Sequence, residues 1–139
     1  MATYEQLKLD NQLCFPLYAC SRKIVNNYTP YLKPLGLTYT QYLAMLVLWE
    51  EDGIRLTDLG ARLRLDSGTL TPLLKKLESM GLVTRVRSKE DERSVTLSLT
   101  DAGREMKEVA KDIPAKIGQC VALTPEEAEQ LYTLLYKIL

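Results

Sequence analysis

From Leu9 to Ile24, the residues Leu9, Leu13, Leu17, Cys20 and Ile24 recur at steps of four and three, the period of one helical face. Cys14, Tyr18, Ser21, Val25 and Tyr28 form a second stripe beside it. A first long helix with two semi-apolar faces has more to bury than one small domain needs, so part of it is expected to meet a partner chain. Proline donates no backbone hydrogen bond, so Pro16 belongs in a first turn or at a kink, and either choice leaves Cys14 close to a helix N-terminus.

Thr38 followed by Gln41 reads as a capping box, and Tyr42, Met45, Leu46 and Trp49 supply the apolar face of a second helix ending near Gly53. Thr57 is the expected cap of a short helix through Leu63. Asp66 or Ser67 caps the next, in which Leu70, Leu73, Leu74 and Leu77 keep the helical spacing until Gly81 stops it. The period then changes to two. Leu82 to Arg87 and Ser94 to Leu99, with Val95, Leu97 and Leu99 on one face, predict a hairpin around Ser88 to Arg93. Thr100 caps a helix reaching about Pro114. Thr124-Pro125-Glu126-Glu127 opens a last one whose apolar face is Leu131, Leu134, Leu135 and Ile138. With no repeat or dividing linker, the expectation is one mainly α domain over residues 1–139. It is a winged helix-turn-helix with a small β-hairpin wing, its reading unit at about 54–99, between long helical segments at about 9–35 and 100–139.

Eighteen basic residues offset eighteen acidic ones, so overall charge says nothing about nucleic acid. The distribution does: Ile54 to Arg93 holds nine basic and six acidic residues, a net +3 between segments of −1 and −2. Three cysteines at wide spacing, no CxxC pair and no histidine argue against a zinc site or any other metal, and no cofactor-binding loop is present. The N-terminus lacks a signal-like pattern, and the most apolar run, Tyr42 to Trp49, is far below the roughly 20 residues that cross a bilayer. A cytoplasmic protein with reduced thiols and no membrane partner is expected.

A helix fits the major groove and presents the side chains of its first turns to base edges. Beside the Leu70 to Leu77 face stand Asp66, Ser67, Thr69 and Thr71, with Lys75 and Lys76 farther along. Arg85, Arg87, Lys89 and Arg93 crowd the hairpin, where a phosphate or a narrow minor groove can be met. Its tip also carries Glu90, Asp91 and Glu92, so charge alone is equally read as a solvated turn. The helix pair together with the hairpin favours double-stranded DNA. An acid beside Arg93 is expected to hold that arginine's rotamer by an ion pair.

Three stretches resemble the organic-hydroperoxide-sensing branch of the MarR family: Leu9-Asp-Asn-Gln-Leu-Cys14-Phe-Pro-Leu-Tyr18, Leu37-Thr-Tyr39-Thr-Gln-Tyr-Leu-Ala44 and Leu65-Asp66-Ser67-Gly-Thr69-Leu-Thr71-Pro-Leu-Leu74. Arg85-Val-Arg-Ser-Lys-Glu-Asp-Glu-Arg93-Ser-Val95 looks like that family's wing. The similarity runs unbroken from about Leu9 to Leu139. It implies a homodimeric repressor of a palindromic operator, with interlocked N- and C-terminal dimerisation helices, released when organic hydroperoxide oxidises one cysteine. By this resemblance Cys14 is the oxidised residue, Tyr28 and Tyr39 hydrogen-bond it, and Asp66, Ser67, Thr69 and Arg93 touch the operator, with Lys89 and Asp91 as further candidates. Cys120, 106 positions after Cys14, falls about where the two-cysteine members place a second thiol.

Peroxides are attacked by thiolate, a form that a helix N-terminus and nearby donors favour. Tyr28 lies fourteen residues on, about 21 Å along a straight helix at roughly 1.5 Å per residue, so it reaches the sulfur only from an antiparallel second subunit. A sulfenic acid condenses with a second thiol, for which Cys120 is the candidate. Cys20, six positions from Cys14, reads as core.

Bland readings remain beside these. On spacing alone Cys14, among Leu13, Phe15 and Leu17, reads as a small buried hydrophobe, a reading that the resemblance reverses. Tyr28 and Tyr39 can be half-buried tyrosines with wet hydroxyls, and Cys120 can be incidental. Three other functions stay open: a repressor released by a small aromatic ligand, a thiol peroxidase, and a helical interaction module. The peroxidase suffers from the absence of a histidine and of any arginine near Cys14 before Arg22.

Overall fold

The helix starts that follow Thr38, Asp66, Thr100 and Thr124 are set by side chains that accept an unpaired amide of the first turn. The computed structural model describes residues 1–91 and 93–139; Glu92 at the hairpin tip lies outside the described residues. Two 3-10 turns, Glu5–Leu7 and Leu9–Asn11, precede α1 (Cys14–Leu32), which begins at Cys14 with Pro16 in its first turn. Leu9 and Leu13 therefore stand outside the helix whose stripe they were expected to begin, and both are exposed. Beyond Pro30 the chain tightens into a 3-10 turn, Lys33–Leu35, which Gly36 closes at φ +70°.

α2 (Tyr39–Glu50) starts with the expected box: the Gln41 amide donates to Thr38 Oγ1 at 3.3 Å and the Thr38 amide to Gln41 Oε1 at 3.0 Å. β1 (Ile54–Arg55) runs directly into α3 (Leu56–Leu63), whose N-cap is Arg55 without a side-chain cap, in place of the expected Thr57. α4 (Ser67–Ser79) is capped by Asp66, whose Oδ1 accepts the Thr69 amide at 2.8 Å. β2 (Val83–Arg87) and β3 (Val95–Leu99) form the hairpin in the register Val83 to Leu99, Arg85 to Leu97 and Arg87 to Val95. β1 pairs with the other edge of β3, giving the order β1-β3-β2.

Thr100 caps α5 (Asp101–Ala110) by accepting the Gly103 amide at 3.1 Å. The expected single helix to Pro114 is two helices: α5 ends at Ala110, and Pro114 sits in the first turn of α6 (Ile113–Cys120), where its missing N–H costs nothing. α7 (Pro125–Ile138) opens with the Thr124 and Glu127 box, at 2.9 and 3.2 Å. The described residues thus build a mainly helical winged helix-turn-helix.

The chain forms two compact units, Tyr28–Asp112 and the pair of segments Met1–Asn27 and Ile113–Leu139. In the first unit Leu70, Leu73, Leu74 and Leu77 are all buried, together with Leu32, Tyr42, Met45, Leu48, Leu59 and Leu97. Each such leucine contributes about 1.5–3 kcal/mol by leaving water. α2 buries more than the one face its spacing suggested: Ala44, Val47 and Leu48 are covered, and Leu46 is exposed. In the second unit Leu131, Leu134 and Ile138 of α7 are exposed, as are Leu13, Phe15 and Tyr18.

The base of the hairpin is clamped. Thr100 Oγ1 donates to Gly81 O at 2.6 Å and the Thr100 amide to Leu82 O at 3.0 Å. Trp49 Nε1–H donates to Gly103 O at 2.9 Å, and Asp52 accepts the Leu99 amide at 2.8 Å. Gly103 is buried so closely that a Cβ there would collide with the carbonyl oxygen of Leu82 and press on Leu99. Because a backbone carbonyl cannot swing aside like a side-chain end, Gly103→Ala is expected to destabilise the fold by about 2 kcal/mol, at the middle of the usual overpacking range, as read by denaturant unfolding.

Candidate nucleic-acid interface and redox thiols

α4 presents its sequence-predicted polar face as expected, with refinements that come from local bonding. Ser67, Thr69 and Lys75 are exposed, whereas Thr71 is partly covered. The Asp66 carboxylate is held by the Thr69 amide and hydroxyl, which lower its pKa below the ordinary aspartate range. Its observed work is to shape the helix start that carries Ser67 and Thr69. Arg64, at the turn between α3 and α4, is the only described non-glycine residue with positive φ, at 55°.

The wing is ordered by its own polar side chains. Ser88 Oγ accepts the amides of Glu90 and Asp91 at 3.2 and 3.3 Å, and the Ser88 amide donates to Ser94 O at 2.8 Å. Asp91 Oδ1 accepts the backbone amide of Arg93 at 3.0 Å. Asp91 thus makes an Asx-type turn that places residue 93, and Glu92, the acid directly beside Arg93 in sequence, lies outside the described residues. Lys89 and Arg93 are exposed at the tip, and Arg87 lies on β2. Arg85 is engaged elsewhere, with its Nε 2.9 Å from Glu78 Oε2 on α4.

All three thiols are free and exposed in the single chain. Cys14, whose bland reading was a buried hydrophobe, is the first residue of α1. Cys20, read as core, is exposed because α1 buries only Leu32 among its nineteen residues. Cys120 ends α6, its Sγ 3.5 Å from Lys116 O.

Tyr28, near the end of α1, meets Tyr39, the first residue of α2, with ring centroids 4.8 Å apart. The sequence reading missed the third member, Tyr42, which lies 5.5 Å from Tyr28 and 6.3 Å from Tyr39 and touches Trp49 edge-on at 6.5 Å. Its spacing of three from Tyr39 was the available signal. Burial raises the pKa values of Tyr28 and Tyr39, and burial followed by the neighbouring Tyr28 and Tyr39 raises that of Tyr42 to about 12.

A shallow concavity of about 310 Å³ lies among Leu48, Trp49, Asp52, Leu99, Arg104 and Lys107. Asp52, Arg104, Lys107 and Trp49 are all bonded within the chain there. Among the described residues, no group of three or more metal-ligating side chains could hold a metal ion, and no helix is long and apolar enough to cross a membrane.

A family model described as transcriptional regulator SarA/Rot matches residues 26–109. The organic hydroperoxide resistance transcriptional regulator of Bacillus subtilis is 50% identical over 136 residues, which cover 98% of this chain and 92% of that protein. The chain belongs to the MarR family of redox-sensing transcriptional regulators. This MarR-family chain also matches AbfR of Staphylococcus epidermidis. Reduced AbfR bound to DNA is similar with a TM-score of 0.82 at 39% identity, over 96% of this chain and 92% of that one. Disulfide-formed AbfR matches with a TM-score of 0.69 at 41% identity, over 96% and 94%. The Bacillus subtilis relative is a transcriptional regulator by name, and AbfR is found bound to DNA and in a disulfide form.

Two pH dependences follow. The fold prefers the neutral Tyr42 phenol, so that contribution is intact below the ordinary tyrosine value of 10.0 and is lost as pH rises through about 12; phenolate absorbance should show several tyrosines titrating late, and Tyr42→Phe should remove the phase near 12. The Asp66 cap works in reverse. Its pKa is lowered in the fold, so its contribution is present above the ordinary aspartate range and is lost as pH falls through the lowered value. Asp66→Asn should keep the cap and flatten this acid limb of the unfolding midpoint.

Proposed function

We propose that the chain is a homodimeric repressor that grips a palindromic operator with α4 and the wing and lets go when an organic hydroperoxide oxidises Cys14. The observation that carries this reading is a free, exposed Cys14 at the first residue of α1, in a chain half identical to an organic hydroperoxide resistance regulator. The first turn of a nineteen-residue helix directs unpaired amides and partial positive charge at an anion, which suits a thiolate nucleophile.

In the chemistry proposed, the Cys14 sulfur takes the terminal peroxide oxygen as the O–O bond breaks, and the departing alkoxide is protonated to the alcohol. The sulfenic acid then condenses with the thiol of Cys120 of the partner subunit, forming an S–S bond and releasing water. Exposed Leu13, Phe15 and Tyr18 on one side and Leu131, Leu134 and Ile138 on the other support a second copy as their cover. The partner's Tyr28 and Tyr39 are the hydroxyls proposed to hold the Cys14 sulfur, since this chain's own Tyr28 is fourteen residues along the same helix. A disulfide across the interface changes the separation of two reading helices that must match half-sites about one DNA turn apart.

On the DNA side, Ser67, Thr69, Thr71 and Lys75 face base edges or phosphates from α4, and Arg87, Lys89 and Arg93 do so from the wing. Asp66 and Asp91 pose them through the backbone bonds described above. Arg93→Ala should weaken binding and lower the salt slope by about 0.9, the share of one phosphate contact.

A gel shift on the chain's own upstream region tests the whole reading. Cumene hydroperoxide should release the unsubstituted protein from DNA and a thiol reductant should restore binding, while Cys14→Ser should stay bound under oxidant. Cys120→Ser should abolish the interchain band on a non-reducing gel. Release of Cys14→Ser by the oxidant refutes the sensor assignment.

A further inference from the structure

Arg85 belongs by residue type with the cations of the wing, and it is held in an ion pair with α4. Side chains alternate across a strand, so Val83, Arg85 and Arg87 share one face of β2, and Thr84 and Val86 the other. Val83 is buried and Val86 is exposed, so the Val83 face is covered at the start of β2 and opens to solvent through Arg85 and Arg87. β2 packs against α4, which makes that helix the neighbour of Arg85. There Arg85 Nε meets Glu78 Oε2 at 2.9 Å, with only 30% of the Arg85 side chain exposed. Glu78 follows buried Leu77 in the last turn of α4, three residues beyond Lys75. It is an acid on a helix read here as facing a polyanion, and Arg85 neutralises it.

We infer that Arg85 is a positioning residue for DNA recognition and makes no phosphate contact: its ion pair with Glu78 fixes the wing against α4, so that the wing tip and the first turns of α4 meet the duplex in one register. This rests on the DNA-binding reading above. It differs from a direct contact in a way that can be measured, because a cation that neutralises a phosphate releases a counterion and appears in the salt dependence, whereas a cation that neutralises Glu78 does not.

The test measures operator affinity against salt concentration for the full-length unsubstituted chain, Arg85→Met, Glu78→Gln and the double variant, with unfolding midpoints alongside. Positioning predicts that both single variants bind roughly two- to five-fold more weakly, the factor a partly exposed ion pair is worth. It further predicts an unchanged salt slope, no greater loss in the double variant than in the worse single one, and nearly native midpoints. Glu78→Gln decides the sign. If Arg85 touched phosphate, removing an acid near DNA would leave binding equal or tighter, and Arg85→Met would lower the slope by about 0.9. Either result, or additive losses in the double variant, overturns the inference. Failure of the unsubstituted chain to bind in a salt-dependent way sinks the DNA-binding reading along with it, whereas a lowered slope confined to Arg85→Met sinks this inference alone.

Discussion

The carbonyl oxygen of Leu82 is the point on which the reading unit turns. It accepts the Thr100 amide and lies where Gly103 offers no Cβ, so the chain can leave β3 and enter α5 directly over the base of the hairpin. That close approach lets Trp49 reach Gly103 O and lets Asp52 reach the Leu99 amide. The hairpin and α5, consecutive in sequence, thereby share one junction with the distant α2. A wing that hinged freely there could not keep a fixed distance to α4.

Upward from this junction, each part of the proposed DNA surface is posed by a bond that spends a polar side chain on the protein itself. Asp66 turns toward Thr69, Asp91 toward the Arg93 amide, Ser88 toward two tip amides, and Arg85 toward Glu78. Asp91, one of the tip acids whose charge opposed a nucleic-acid reading, holds the presenting backbone of the wing, as Asp66 does at the start of α4. Preorganisation of this kind limits the entropy lost on binding, the usual cost of placing charged side chains on loops.

The thiol-bearing segments obey a different constraint. Apolar residues around the start of α1 and along α7 are exposed in the single chain, with Cys14 and Cys20 on α1 and Cys120 at the end of α6. A sensor made from residues that need a second copy for cover couples oxidation directly to assembly geometry. The tyrosine cluster at the end of α1 and the start of α2 is by contrast already packed within its own unit, ring against ring.

The pattern of the chain alone was enough for the helix starts at Thr38, Thr100 and Thr124, for a cap at Asp66 or Ser67, for the buried Leu70 to Leu77 face and for the hairpin, because caps and periodicity act over three or four residues. The resemblance of the Cys14 and Asp66 stretches was also legible there. Tertiary structure decided what depends on distant partners. It made Ile54 and Arg55 an edge strand, buried α2 on most sides, divided the helix before Pro114, left Cys20 exposed, joined Tyr42 to Tyr28 and directed Arg85 to Glu78. The physical reason is that a local pattern specifies which groups want burial or a bond, while the identity of the group that supplies it depends on how the chain returns on itself.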